Sequence, residues 1–173
     1  NLNLKTETVL NLFKDVEYYL GKVRSQKLVK PIYFTQFPRD LDELQSTKLK
    51  KETFIKIILP LIVAENEKIL ADRKKLTIVS GKKYTTDLEK QWIRQKLLEY
   101  KVKKGDLNEL LIRMDVIPTS IALAQAAKES GWGTSRFALE GNAIFGQWTW
   151  SGQGIAPLNS CLLYTSTSQR ERI

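Results

Sequence analysis

Residues 125–135 read QAAKESGWGTS, and they set one ionisable carboxyl, Glu129, where an alanine-rich run meets a tryptophan held between Gly131 and Gly133. If residues 119–130 are helical, Glu129 falls in the last turn, where the unsatisfied carbonyls carry partial negative charge and disfavour a carboxylate. Trp132 adds to this by keeping water from the charged form. A carboxyl held protonated near neutral pH can give its proton to a leaving glycosidic oxygen. The expected chemistry is therefore general acid catalysis on a sugar bond, in a partly dry crevice, with Glu129 as the acid. Gln125, one helical turn earlier, shares its face and is placed to hydrogen-bond the carboxyl or a substrate. Gly131 suits a left-handed helix stop, and both glycines leave room for a sugar chain. The spacing fits a blander reading equally well: an exposed glutamate that ends a helix and pairs with Lys128 or Arg136.

Other chemistries are removed by composition. The chain has no histidine, which excludes Ser/His/Asp triads, Cys/His dyads, HExxH sites and most catalytic zinc sites. Its one cysteine, Cys161, has neither a disulfide partner in the chain nor a base to activate it. No Gly-rich phosphate loop is present, so nucleotide chemistry is not expected. The remaining chemistry must rest on carboxylates, hydroxyls, lysines or a supplied cofactor, and the sugar-bond reading of Glu129 calls for neither a metal nor an organic cofactor.

The elements that must position Glu129 read as mainly α. Val9, Phe13, Val16 and Leu20 recur at helical spacing, with Gly21 as a C-terminal stop. "LVKPIYFTQFPRDL", with two prolines among aromatic and β-branched residues, is expected to be an extended connector strapped across the core. Phe54, Ile57, Ile58, Leu61, Ile62, Ile69 and Leu70 follow a helical period, which Pro60 is expected to break or kink into two pieces. Thr86 and Glu89 form a capping box that opens a helix with Leu88, Trp92 and Leu98 among its apolar positions, and Asp106 with Glu109 is a weaker analogue. Pro118, Thr119 and Ser120 start the helix that ends at Glu129. Beyond Gly131, glycines and aromatics predict loop.

The net charge is +9, and residues 71–104 hold eleven Lys/Arg against four acids, a local +7. Interspersed charge of this kind usually marks a solvated helical face. The sharper reading is contact with a polyanion, whether nucleic acid, anionic lipid or an acidic glycan. No helix-turn-helix, zinc finger or RNA-recognition motif is present, so nucleic acid is not the expected partner.

"IPTSIALAQAAKESGWGTSRFALEGNAIFGQWTW" closely resembles the Bax-type bacterial proteins of the glucosaminidase superfamily. "PIYFTQFPRDL", "ETFIKIILPLIVAENEKILADRKKL" and "LLIRMDVIP" resemble the lead-in to that domain, so the likeness covers most of residues 28–157. The resemblance implies a lysozyme-like helical fold and hydrolysis of the β-1,4 bond after N-acetylglucosamine in peptidoglycan glycan strands, the expected partner. It implies that Glu129 is the general acid and that Gly141, Asn142, Phe145 and Gly146 shape the sugar cleft. Trp148 and Trp150 would stack on sugar rings, although a core role suits each of these aromatics at least as well, and Trp132 beside the acid is a further substrate-binding candidate. Glu140 is not marked as catalytic.

Four parts follow: an amphipathic helix over 1–27, a helical lead-in over 28–105, the N-terminal part of the glucosaminidase domain over 106–157, and a tail over 158–173 unlike the family. The resemblance stops near Pro157, so the second half of the catalytic domain is expected to be missing and catalysis poor or absent. The rivals are a lytic transglycosylase and a non-catalytic wall-binding module. The first residue is Asn rather than Met, so localisation is not read from the N-terminus. The substrate implies the periplasm or cell envelope, and any inner-membrane anchor would lie outside these residues. The sequence sets no oligomeric state.

Overall fold

The computed structural model describes residues 4–103 and 105–141, apart from the side chains of residues 137, 140 and 141. Its elements are all helical: α1 (Thr6–Asp15), α2 (Leu20–Gln26), a 3-10 turn (Leu41–Glu43), α3 (Thr47–Ser80), α4 (Asp87–Glu99), α5 (Leu107–Arg113), α6 (Thr119–Ser130) and α7 (Arg136–Gly141). Among the described residues there is no strand. The described residues divide into two compact units: residues 4–64 with 118–141, and residues 65–103 with 105–117.

In the first unit, α1 buries Val9 and Phe13 on one face. Its N-terminus has no cap of its own. Asp40, from the connector, accepts hydrogen bonds from the Thr6 backbone N–H and hydroxyl, both at 2.8 Å, and so does the capping from 34 residues away. The connector carries no regular element before Leu41, and its Phe37 and Leu41 are buried, as a strap requires. Phe37 stacks on Phe54 of α3, with centroids 5.5 Å apart and planes at 15°.

Two expectations are corrected here. Gly21 does not stop the first helix: α1 ends at Asp15, Glu17 takes a φ of 53°, and Gly21 lies inside α2. Pro60 does not divide α3, which runs unbroken for 34 residues. A helix-interior proline costs about 3 kcal/mol. Burial on both sides of it, at Phe54, Ile57, Ile58 and Ile62, contributes roughly 1.5–3 kcal/mol per side chain and outweighs that loss.

In the second unit, Ile69 and Leu76 of α3 meet Leu110 of α5 and Met114, with Trp92, Ile93, Leu97 and Tyr100 packed around them. The Thr86 capping box is complete: its hydroxyl accepts from the Glu89 N–H at 3.2 Å, and the Glu89 carboxylate accepts from the Thr86 N–H at 2.9 Å. Asp106 caps α5 through the N–H groups of Asn108 and Glu109. Half-buried polar groups tie the remaining loop down. Arg73 donates to the carbonyls of Leu111 and Met114, and Asn66 exchanges two hydrogen bonds with the Ile117 backbone at 2.8 and 3.1 Å.

Two more expectations change in this unit. Of the apolar positions assigned to α4, Trp92 packs on the core but Leu88 and Leu98 are exposed; Ile93 and Leu97 supply the buried face instead. Lys96 is not part of a solvated basic face. It is 7% exposed, and its ammonium lies 2.7 Å from Asp72 and 3.0 Å from Glu99.

Candidate active site

The site is built on the end of α6. Small residues Ala122, Ala126 and Ala127 form the buried side of this helix, with Ser130 beneath its last turn. The Ser130 hydroxyl donates to the Ala126 carbonyl at 2.6 Å and accepts from the Gly133 N–H at 3.0 Å, so it links the helix to the turn that follows. Gly131, Trp132 and Gly133 then take positive φ in succession, at 57°, 59° and 80°. The N–H groups of Gly131 and Trp132 both point to the Ala127 carbonyl, and the Ser135 N–H reaches the Ser130 carbonyl at 3.0 Å. These bonds satisfy the carbonyls that a helix end leaves open. They also hold Trp132 in a left-handed conformation costly for a residue with a Cβ.

The turn rests on the connector and α3. Phe37 fills the space over Gly133, where an added Cβ would meet ring carbons at 2.9 Å. The half-buried Trp132 ring packs edge-on against Phe54 at 5.5 Å and 70°, with the Lys51 ammonium 4.9 Å from its centroid. The aromatics of "FTQFP" signal a strap, but nothing in their spacing says that its target is this turn. Phe37, Phe54 and Lys51 are the supporting residues that sequence reasoning missed.

Glu129 is exposed on α6, and Gln125 on the same face is half-buried. No side chain among the described residues pairs with the Glu129 carboxylate, including Lys128, so the helix-ending ion pair is not formed. The dry crevice is not formed by the described residues either. Trp132 turns its ring to Phe54 and Lys51, leaving Glu129 open to water. The room expected over Gly133 is taken by Phe37, whereas Gly131 is exposed, with its nearest neighbour 3.6 Å from an added Cβ. A second helix appears where loop was expected: α7 starts at Arg136, with the Ser135 hydroxyl accepting from the Ala138 N–H at 3.1 Å as its cap. The structure thus brings Gln125, Glu129 and Trp132 together within two turns of chain. Asn142, Phe145, Gly146, Trp148 and Trp150 lie outside the described residues, as does the tail over 158–173. Among the described residues no cluster of three or more potential metal ligands occurs.

The ESGWGTS turn and its carboxyl lie inside a segment that matches a known family. Residues 104–170 match the Glucosaminidase family. That family is described as mannosyl-glycoprotein endo-beta-N-acetylglucosaminidase, and the match continues past Pro157. The chain is also a distant homologue of Protein bax of Escherichia coli (strain K12), 35% identical over 113 residues, which are 62% of this chain and 41% of that protein. It therefore spans less than half the length of that relative. No solved structure matches the chain.

Proposed function

We propose that this chain carries the acid-bearing part of a peptidoglycan β-N-acetylglucosaminidase, with Glu129 as the general acid. The observation that supports this most is Glu129 itself. It is a carboxyl unpaired among the described residues and exposed at the end of α6, beside a turn fixed by hydrogen bonds and aromatic packing, inside the glucosaminidase match. A catalytic group works best when its neighbours are rigid and its own atoms are free to meet substrate.

The Glu129 proton passes to the glycosidic oxygen as the bond from that oxygen to the anomeric carbon of N-acetylglucosamine breaks. Positive charge then develops on the sugar ring, and the oxygen departs as a hydroxyl. Water completes hydrolysis, assisted by a second carboxylate or by the substrate's own acetamido group. With Glu129 exposed in the free protein, the bound strand supplies the exclusion of water that proton transfer needs. Gln125 and Trp132 flank the acid as substrate contacts, joined by Asn142, Phe145, Gly146 and Trp148. The site of action is the cell envelope.

The test is digestion of purified peptidoglycan by the full-length parent protein that carries this chain and by its Glu129→Gln variant, with the released ends identified. New reducing N-acetylglucosamine ends from the parent, absent with the variant, are the expected result. Equal cleavage by both would remove Glu129 from the role of acid, and anhydro-muramyl ends would indicate a lytic transglycosylase. Strand binding by both proteins with no cleavage by either would indicate a wall-binding module.

A further inference from the structure

The hairpin formed by α3 and α4 ends in a tip that the proposed glycosidase chemistry does not use. Asp72 meets Lys96, and the Lys75 ammonium lies 4.3 Å from the Trp92 centroid, so the two helices run antiparallel and the chain reverses over residues 81–86. At this end Ile78, Tyr84 and Leu88 are 55%, 80% and 78% exposed. Around them Lys74, Lys75, Lys82, Lys83 and Lys90 are also exposed. The two acids of the tip are engaged: Glu89 with Lys82 and the Thr86 N–H, and Asp87 with Lys90 at 3.5 Å. The tip therefore presents large apolar side chains in a positive field.

We propose that this tip docks on an anionic lipid surface, with Ile78, Tyr84 and Leu88 entering the headgroup layer and the lysines facing lipid phosphates. Charge complementarity selects an anionic partner. The apolar residues select lipid, because a polyanionic strand is held by lysines alone and gains nothing from Ile78 or Leu88. A headgroup layer takes up both: aliphatic and tyrosine side chains bury in it, and each nearby lysine adds attraction. Such docking is peripheral, since no helix of the described residues is long and apolar enough to cross a membrane.

Co-sedimentation with vesicles tests this, using the whole chain and either phosphatidylcholine alone or phosphatidylcholine mixed with phosphatidylglycerol. Binding is expected only to the mixed vesicles and should weaken as salt is added. Each lysine removed in Lys74→Gln and Lys83→Gln should lower affinity about fivefold. Tyr84→Ser with Leu88→Ser should lower it about tenfold or more through lost apolar burial. All four positions are exposed, and unchanged far-UV circular dichroism would verify that the variants fold. Glu129→Gln should bind vesicles as the parent does, which separates this result from the fate of the glycosidase reading. Equal binding to both vesicle types would overturn the proposal, as would no binding to either. Full retention of binding by the Tyr84/Leu88 variant would also overturn it. If a DNA duplex binds in a way that needs the lysines but not Tyr84 and Leu88, the tip is a polyanion site instead.

Discussion

Gly133 lies directly under the ring of Phe37, close enough that a methyl group there would sit 2.9 Å from ring carbons. Its φ of +80° also disfavours any L side chain. Gly133→Ala should therefore destabilise the protein by about 2–4 kcal/mol from overpacking and backbone strain together. Gly131→Ala meets only ordinary contacts and should cost about 1 kcal/mol. Urea unfolding of both variants checks the order, and equal losses would contradict the packing described for Phe37.

Glu129 should be dispensable for folding. Its carboxyl is exposed and unpaired among the described residues, so Glu129→Gln should shift stability by no more than about 0.5 kcal/mol. Thermal and urea unfolding test this independently of any activity. A large destabilisation would mean that the side chain holds structure and would weaken its assignment as a catalytic group.

Asp40 should act as a long-range helix cap. Asp40→Ala removes the acceptor for two Thr6 donors and should cost about 1–2 kcal/mol, with fraying of α1 visible in hydrogen exchange. Burial works to raise the Asp40 carboxyl, but the Thr6 bonds prevail and hold it below the ordinary value of 3.8. Because the folded value is depressed, this contribution is present above 3.8 and fades as pH falls through the lower folded value. The acid limb of a stability profile should flatten in Asp40→Ala.

Lys96 should have the opposite pH signature. Burial opposes its charge, yet the bonds and charges of Asp72 and Glu99 raise it above the ordinary lysine value of 10.5. A raised lysine contributes stability that is complete below 10.5 and is lost as pH climbs through the higher folded value. Lys96→Met strands two poorly hydrated carboxylates beside each other and should cost about 3–5 kcal/mol. Unfolding curves at neutral and alkaline pH would reveal both effects, and a variant as stable as the parent at neutral pH would exclude the triad as a structural element.

The starts of α4, α5 and α6 were legible in the sequence because they depend on neighbours a few residues apart, whereas α2 and α7 were not expected. Thr86 with Glu89, Asp106 and Pro118 all mark starts that the structure contains. The end of α6 at Gly131 was legible for the same reason. Pro60 misled because a local penalty was opposed by burial spread along α3, which no short window contains. Leu88 and Lys96 misled in opposite directions, since residue type alone does not say which face of α4 meets Leu76 and Asp72. At the site, Glu129 and Gln125 were placed on one face by helical spacing. The support behind Trp132 was not legible, because Phe37 and Phe54 reach it from far away in the chain.

The Lys51 ammonium over Trp132 limits how that indole can meet carbohydrate. A pyranose approaching from the side of the cation must displace it, whereas one arriving on the opposite side leaves it in place. Either encounter alters the electronic surroundings of the ring, so the emission of this tryptophan would report ligand arrival next to Glu129 before any bond is cut.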